Sequence, residues 1–100
     1  MASSFTSQQD RTISDLYDLR FEVEEAFINK DSYLAREQVI RFENIYRYFA
    51  QKLSLNGRYS SALDELKLMV FRQIDYPMVQ RKLLEEVRRF ILDIHYLEVV

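Results

Sequence analysis

The chain has no cysteine and only one glycine, one proline and one histidine in 100 residues. Without cysteine there are no disulfides, no thiolate zinc sites and no cysteine nucleophile. A single glycine excludes the phosphate-cradling loops of P-loop and dinucleotide-binding proteins, which need several. The lone His95 argues against a carboxylate-bridged di-iron site, which requires Glu-x-x-His on helices. Here the residue three positions before it is Leu92, and Asp93 at i−2 lies on the wrong face. No G-x-S-x-G elbow is present to display a serine. There is no basic excess either; the formal net charge of −2 argues against a general nucleic-acid binder. No stretch approaches the roughly 20 apolar residues of a membrane span. The opening MASSFTSQQD has neither the charged start nor the apolar run of a signal peptide. The reading is a soluble, cytoplasmic protein with no catalytic residue assigned, no metal and no cofactor.

Gly57 and Pro77, the strongest local punctuators, fall where helices should end or restart. Between them run long segments with apolar residues at helical spacing. Residues 1–7 read as a frayed lead-in, with Thr6 or Ser7 as N-cap, and residues 8–100 as one helical domain. The first helix, about 8–28, has an inner stripe of Ile13, Leu16, Tyr17, the Arg20 stem, Val23 and Phe27. Asn29 to Ser32 form a turn, with Asp31 or Ser32 capping the second helix, about 32–55. There Ala35, Val39, Phe42, Tyr46, Phe49 and Leu53 recur every three or four residues, the seam of shallow helix crossings. Asn56-Gly57 stops that helix. The third, about 58–74, buries Tyr59, Ala62, Leu63, Leu66, Met69 and Val70. Asp75-Tyr76-Pro77 caps and restarts the chain. The fourth helix, about 76–97, buries Val79, Leu83, Val87, Phe90, Ile91, Ile94 and Leu97. Similar lengths and short connections favour antiparallel neighbours. The sequence predicts an all-α, four-helix up-and-down antiparallel bundle; a three-helix arrangement with a loosely attached first helix is the alternative.

Apolar residues make up 48% of the chain, more than one inward stripe per helix uses. Leu92, Tyr96 and Val99 form a second line near the C-terminus, and Leu34, Ile40, Tyr48, Leu68 and Phe71 also lie off the main stripes. Such residues are either ordinary surface hydrophobes or a binding face for a protein partner or a second copy. Charge is uneven too. Residues 1–31 hold seven acids and three bases, and the remainder nine acids and eleven bases. Asp15, Asp18, Glu22 and Glu25 form an acidic line on the first helix, while Arg81 with Arg88, and Lys82 with Arg89, align on the fourth. Glu85 and Glu86 sit close enough to mute that basic stripe. The two lines could be solvated, could face each other, or the acidic one could dock a basic partner.

Three resemblances are carried by short stretches. Arg88-Arg89-Phe90-Ile91-Leu92-Asp93-Ile94-His95 resembles the R-x(4–6)-H signature of HEPN ribonucleases, small helical domains that often dimerise around it. That resemblance implies Arg88 or Arg89 as a phosphate clamp and His95 as a general acid or base on RNA. Tyr46-x-x-Phe49-Ala50-x-x-Leu53 followed by Asn56-Gly57-Arg58-Tyr59-x-x-Ala62-x-x-x-Leu66 resembles one tetratricopeptide hairpin, without the second copy that a solenoid needs. The size and layout are similar to small bacteriocin immunity proteins. From the residues, the expected function is a non-enzymatic protein–protein contact module: an adaptor, a small regulatory subunit or an immunity- or antitoxin-type inhibitor. Its candidate partner surface is Asp15, Asp18, Glu22, Glu25, Leu92, Tyr96 and Val99. The alternatives are a HEPN-like ribonuclease and a purely structural homodimer.

Overall fold

An amphipathic helix is stable only when its apolar stripe meets another, so four such segments on one chain must close on each other. The computed structural model describes residues 7–52, 58–72 and 76–99. It contains α1 (Ser7–Ile28), α2 (Ala35–Lys52), α3 (Arg58–Phe71) and α4 (Tyr76–Val99), with a 3-10 turn, Ser32–Leu34, leading into α2. No strand occurs among the described residues. Each helix packs on the next, and α4 closes the ring on α1. α2 and α4 approach across one diagonal, whereas the backbones of α1 and α3, among the described residues, stand apart at opposite corners. Tyr17, midway along α1, meets His95 near the end of α4, and Glu24, two turns later in α1, meets Arg88, two turns earlier in α4, so these neighbours run antiparallel. The fold is the expected four-helix bundle, measuring 43 × 26 × 18 Å. Among the described residues no helix is long and apolar enough to cross a membrane.

Among the described residues an ion pair bridges each of the four neighbouring interfaces. Glu22 meets Arg41 between α1 and α2, and Glu43 meets Lys67 at 2.6 Å between α2 and α3. Glu65 meets Lys82 between α3 and α4, and Glu24 meets Arg88 at 3.5 Å between α1 and α4. Three of them are well exposed on both sides, and in the fourth Glu43 is largely buried while Lys67 is exposed, so each contributes about 0–1 kcal/mol. Their placement matches partner helices by charge rather than adding much stability.

The buried positions refine the expected stripes. In α1 the fully buried line is Leu16, Leu19, Val23 and Ala26, with Ile13, Tyr17, Arg20 and Phe27 half-buried beside it. The expected stripe was therefore centred one step too far round the helix. Leu19 and Ala26 lie inside because α1 packs between α2 and α4 along a three-then-four spacing. α2 repeats this with Ala35, Gln38, Phe42, Ile45 and Phe49; Val39 is also buried, and Tyr46 is only half-buried at the edge. Leu63, Leu66 and Val70 continue the core in α3, where Ala62 and Met69 are half-buried. In α4, Val79, Leu83, Val87, Phe90, Ile91 and Ile94 are buried as expected, joined by Gln80. Leu53, Asn56, Gly57, Ile74 and Asp75, and the Tyr59 and Leu97 side chains, lie outside the described residues.

Helix ends differ from expectation in several places, α4 for one running to Val99 rather than residue 97. α1 opens at Ser7, so Ser7 is helical rather than a cap, and the Thr6 alternative lies outside the described residues. Asp31 makes no side-chain capping bond, and Ser32 belongs to the 3-10 turn, so α2 proper begins at Ala35. α3 ends at Phe71, short of residue 74, with Arg72 N–H bonding Leu68 C=O at 3.0 Å. The α1 terminus explains itself. Asp31 N–H bonds Ala26 C=O at 2.8 Å and Lys30 N–H bonds Phe27 C=O at 3.3 Å, the paired bonds of a Schellman motif. That motif needs a left-handed residue, and Lys30 fills the place at φ 61°. A side chain there costs about 1–2 kcal/mol. Lys30→Gly should therefore stabilise the fold by about 0.5–1 kcal/mol after its looser unfolded state is counted. The check is a higher urea midpoint at unchanged slope; a lower midpoint would contradict the strain at this turn.

Candidate functional site

With its inner line fixed by Leu16, Leu19, Val23 and Ala26, α1 must turn the opposite arc to solvent. Asp15, Asp18, Glu22 and Glu25 all lie exposed on that arc, as the sequence placed them. Phe21, 60% exposed, and Ile28, 71% exposed, stand two turns apart along its outer edge. Neither was read from the sequence as a surface residue, although both fall outside the expected inner stripe. A shallow cleft of about 210 Å³ separates α1 from α2; Glu22, Glu25, Asp31 and Glu37 line it, with Arg41 at Glu22. The face is thus strongly acidic with an apolar margin, and one of its carboxylates is already paired.

The basic line of α4 does not meet this acidic one. Arg88 reaches α1 but takes Glu24, which points away from the four acids. Arg89 pairs with Glu86 at 3.4 Å within α4, as the local charge pattern suggested, while Lys82 crosses to Glu65 on α3. Leu92 is 67% exposed on α4, and the Tyr96 and Val99 side chains lie outside the described residues. Of the expected C-terminal line, only Leu92 can therefore be located. Arg88, Arg89 and His95 are exposed; the Tyr17 hydroxyl hydrogen-bonds His95 Nε2, and the two rings meet edge-on at 5.8 Å. Among the described residues no group of three or more His, Cys, Asp and Glu is placed to hold a metal ion.

Sequence reasoning missed a second surface as a site. Ile40 on α2 and Leu68 and Phe71 on α3 were noted only as lying off the main stripes. They stand exposed around a cavity of about 330 Å³ between α2 and α3. The signal was the Leu68–Phe71 pair at i, i+3, which marks an apolar line outside the α3 core. Leu34 and Tyr48, also off-stripe, are half-buried. Compared with known proteins, the chain matches no family model, no curated protein and no solved structure.

Proposed function

We propose that this chain is a non-enzymatic helical contact module, of the adaptor, regulatory-subunit or inhibitor kind, and that the exposed face of α1 recognises a basic protein partner. The reading is carried by one observation: Asp15, Asp18, Glu22 and Glu25 share an exposed arc with the outward-facing Phe21 and Ile28. A bare acidic stripe is simply a hydrated surface. Acidic residues bordering large exposed apolar side chains have the anatomy of an interface, in which the apolar part supplies affinity and the charge orients the encounter. A basic partner with an apolar spot between its Lys and Arg residues fits it.

The test immobilises the protein, identifies what it captures from native extract, and repeats binding with that partner purified. The Glu22→Lys, Glu25→Lys double variant and Phe21→Ser should each weaken the purified complex about tenfold or more. Circular dichroism should remain unchanged, because these side chains are exposed. Equal affinity for wild type and both variants would eliminate this face. Light scattering that finds a stable dimer dissociated by Phe21→Ser would replace the foreign partner with a second copy.

A further inference from the structure

The α2–α3 cavity differs from the α1 face in charge, and nothing about the acidic face predicts it. Two cations, Arg36 and Lys67, stand over an apolar lining of Val39, Ile40, Val70 and Phe71, with the half-buried Tyr76 at the start of α4. No carboxylate is among the described lining residues. Lys67 shares Glu43 with Arg47, so one acid serves two bases there. Arg36 has no ion-pair partner among the described residues. The apolar surface also extends beyond the cavity: Phe71 is 84% exposed, and Leu68, outside the lining, is about half exposed.

From this juxtaposition we infer that the α2–α3 groove is a second docking site, and that its occupant is an acidic amphipathic helix of a partner protein. The charge selects a carboxylate-bearing occupant. The extent of the apolar surface selects a helix over a small anionic amphiphile, because a molecule filling the cavity alone leaves Leu68 and the outer face of Phe71 wet. A helix laid in the groove covers both with apolar anchors at i, i+3 or i+4 and i+7, while carboxylates along its edges reach Arg36 and Lys67. The proposal does not rest on the α1 reading: α2 uses Glu37 and Arg41 at one cleft and Arg36 and Ile40 at the other.

Four fluorescent probes test it by anisotropy: an 18-residue helical peptide with leucine anchors flanked by Glu, its twin with Lys for every Glu, its twin with Ser for every Leu, and a labelled dodecanoate. Only the acidic leucine peptide should bind at micromolar concentration. Arg36→Glu and Phe71→Ser should each weaken it about tenfold, and Arg36→Glu should improve binding of the Lys twin. Both side chains are exposed, so melting temperatures should hold and loss of binding would not reflect unfolding. Glu22→Lys, Glu25→Lys should leave this peptide bound, which separates the result from that of the acidic face. Equal binding of the acidic and Lys peptides, or insensitivity to Phe71→Ser, overturns the proposal. Binding by dodecanoate alone assigns the cavity to a small amphiphile, and a wild-type dimer that Phe71→Ser dissociates assigns it to a second copy; either result overturns it too.

Discussion

Phe90→Ala should cost about 3–5 kcal/mol, among the largest losses available to any single substitution in the chain. Phe90 is completely buried on α4, and its ring is a hub for three rings on α2. Phe42 meets it edge-on at 5.8 Å and Tyr46 at 6.0 Å, while Phe49 tilts against it at 6.0 Å. These contacts cross the bundle's short diagonal, so truncation empties the centre rather than an edge. The single core cluster to which Phe90 belongs draws on all four helices, whose close packing limits collapse into the space and keeps the cavity term large. Against a total stability of about 5–15 kcal/mol, such a loss approaches unfolding in a domain this small. Urea denaturation of both proteins measures it. A loss under about 1.5 kcal/mol would mean that the aromatic cluster is not the centre of the core. Phe71→Ala, equally aromatic but exposed, should move stability by no more than about 0.5 kcal/mol.

A second large effect should be non-additive. Gln80 is fully buried and Gln38 nearly so. Gln80 Nε2 donates to Asp31 C=O at 3.0 Å and to Gln38 Oε1 at 3.1 Å, and Gln38 Nε2 donates to Glu22 C=O at 3.4 Å. Gln80 Oε1 is buried with no partner among the described residues. Gln80→Leu leaves Gln38 Oε1 stranded; Gln38→Leu strands one Gln80 N–H beside an oxygen already unpaired. Each single variant should lose about 1–3 kcal/mol, the cost of a buried polar group without its bond. The double variant should lose less than the sum, because an apolar pair of similar shape leaves no amide-to-amide bond to be missed. The double-mutant cycle isolates that coupling, and strictly additive losses would show that the two amides do not act together.

The physics of periodicity explains what could be read in advance. Helix number and order followed from apolar spacing, and the start of α4 from the placing of Pro77, while several helix ends fell up to three residues from the expected ones. The cleanest seam was that of α2, where large aromatics at Phe42 and Phe49 leave little choice of face. α1 was harder: Leu16, Tyr17, Leu19 and Arg20 offer two overlapping stripes, and only the positions of α2 and α4 decide between them. Gln38 and Gln80 occupy core positions with polar side chains, so no hydropathy pattern could place them inside; their burial depends on each other across the bundle. The four acids of α1 were legible because a helix turns residues at such spacings to one side. The α2–α3 groove was not, since Ile40, Leu68 and Phe71 come together only through tertiary packing.

The diagonal separation of α1 from α3 has a consequence for traffic on the molecule. On the two proposals above, a partner on α1 and a helix in the α2–α3 groove would flank α2 from either side and stay within the 26 Å breadth of the particle. Tethering at so short a span raises the encounter frequency of two passengers without any linker between them. With both proposed sites filled, the bundle would act as a coupler of fixed gauge between a basic partner and an acidic one.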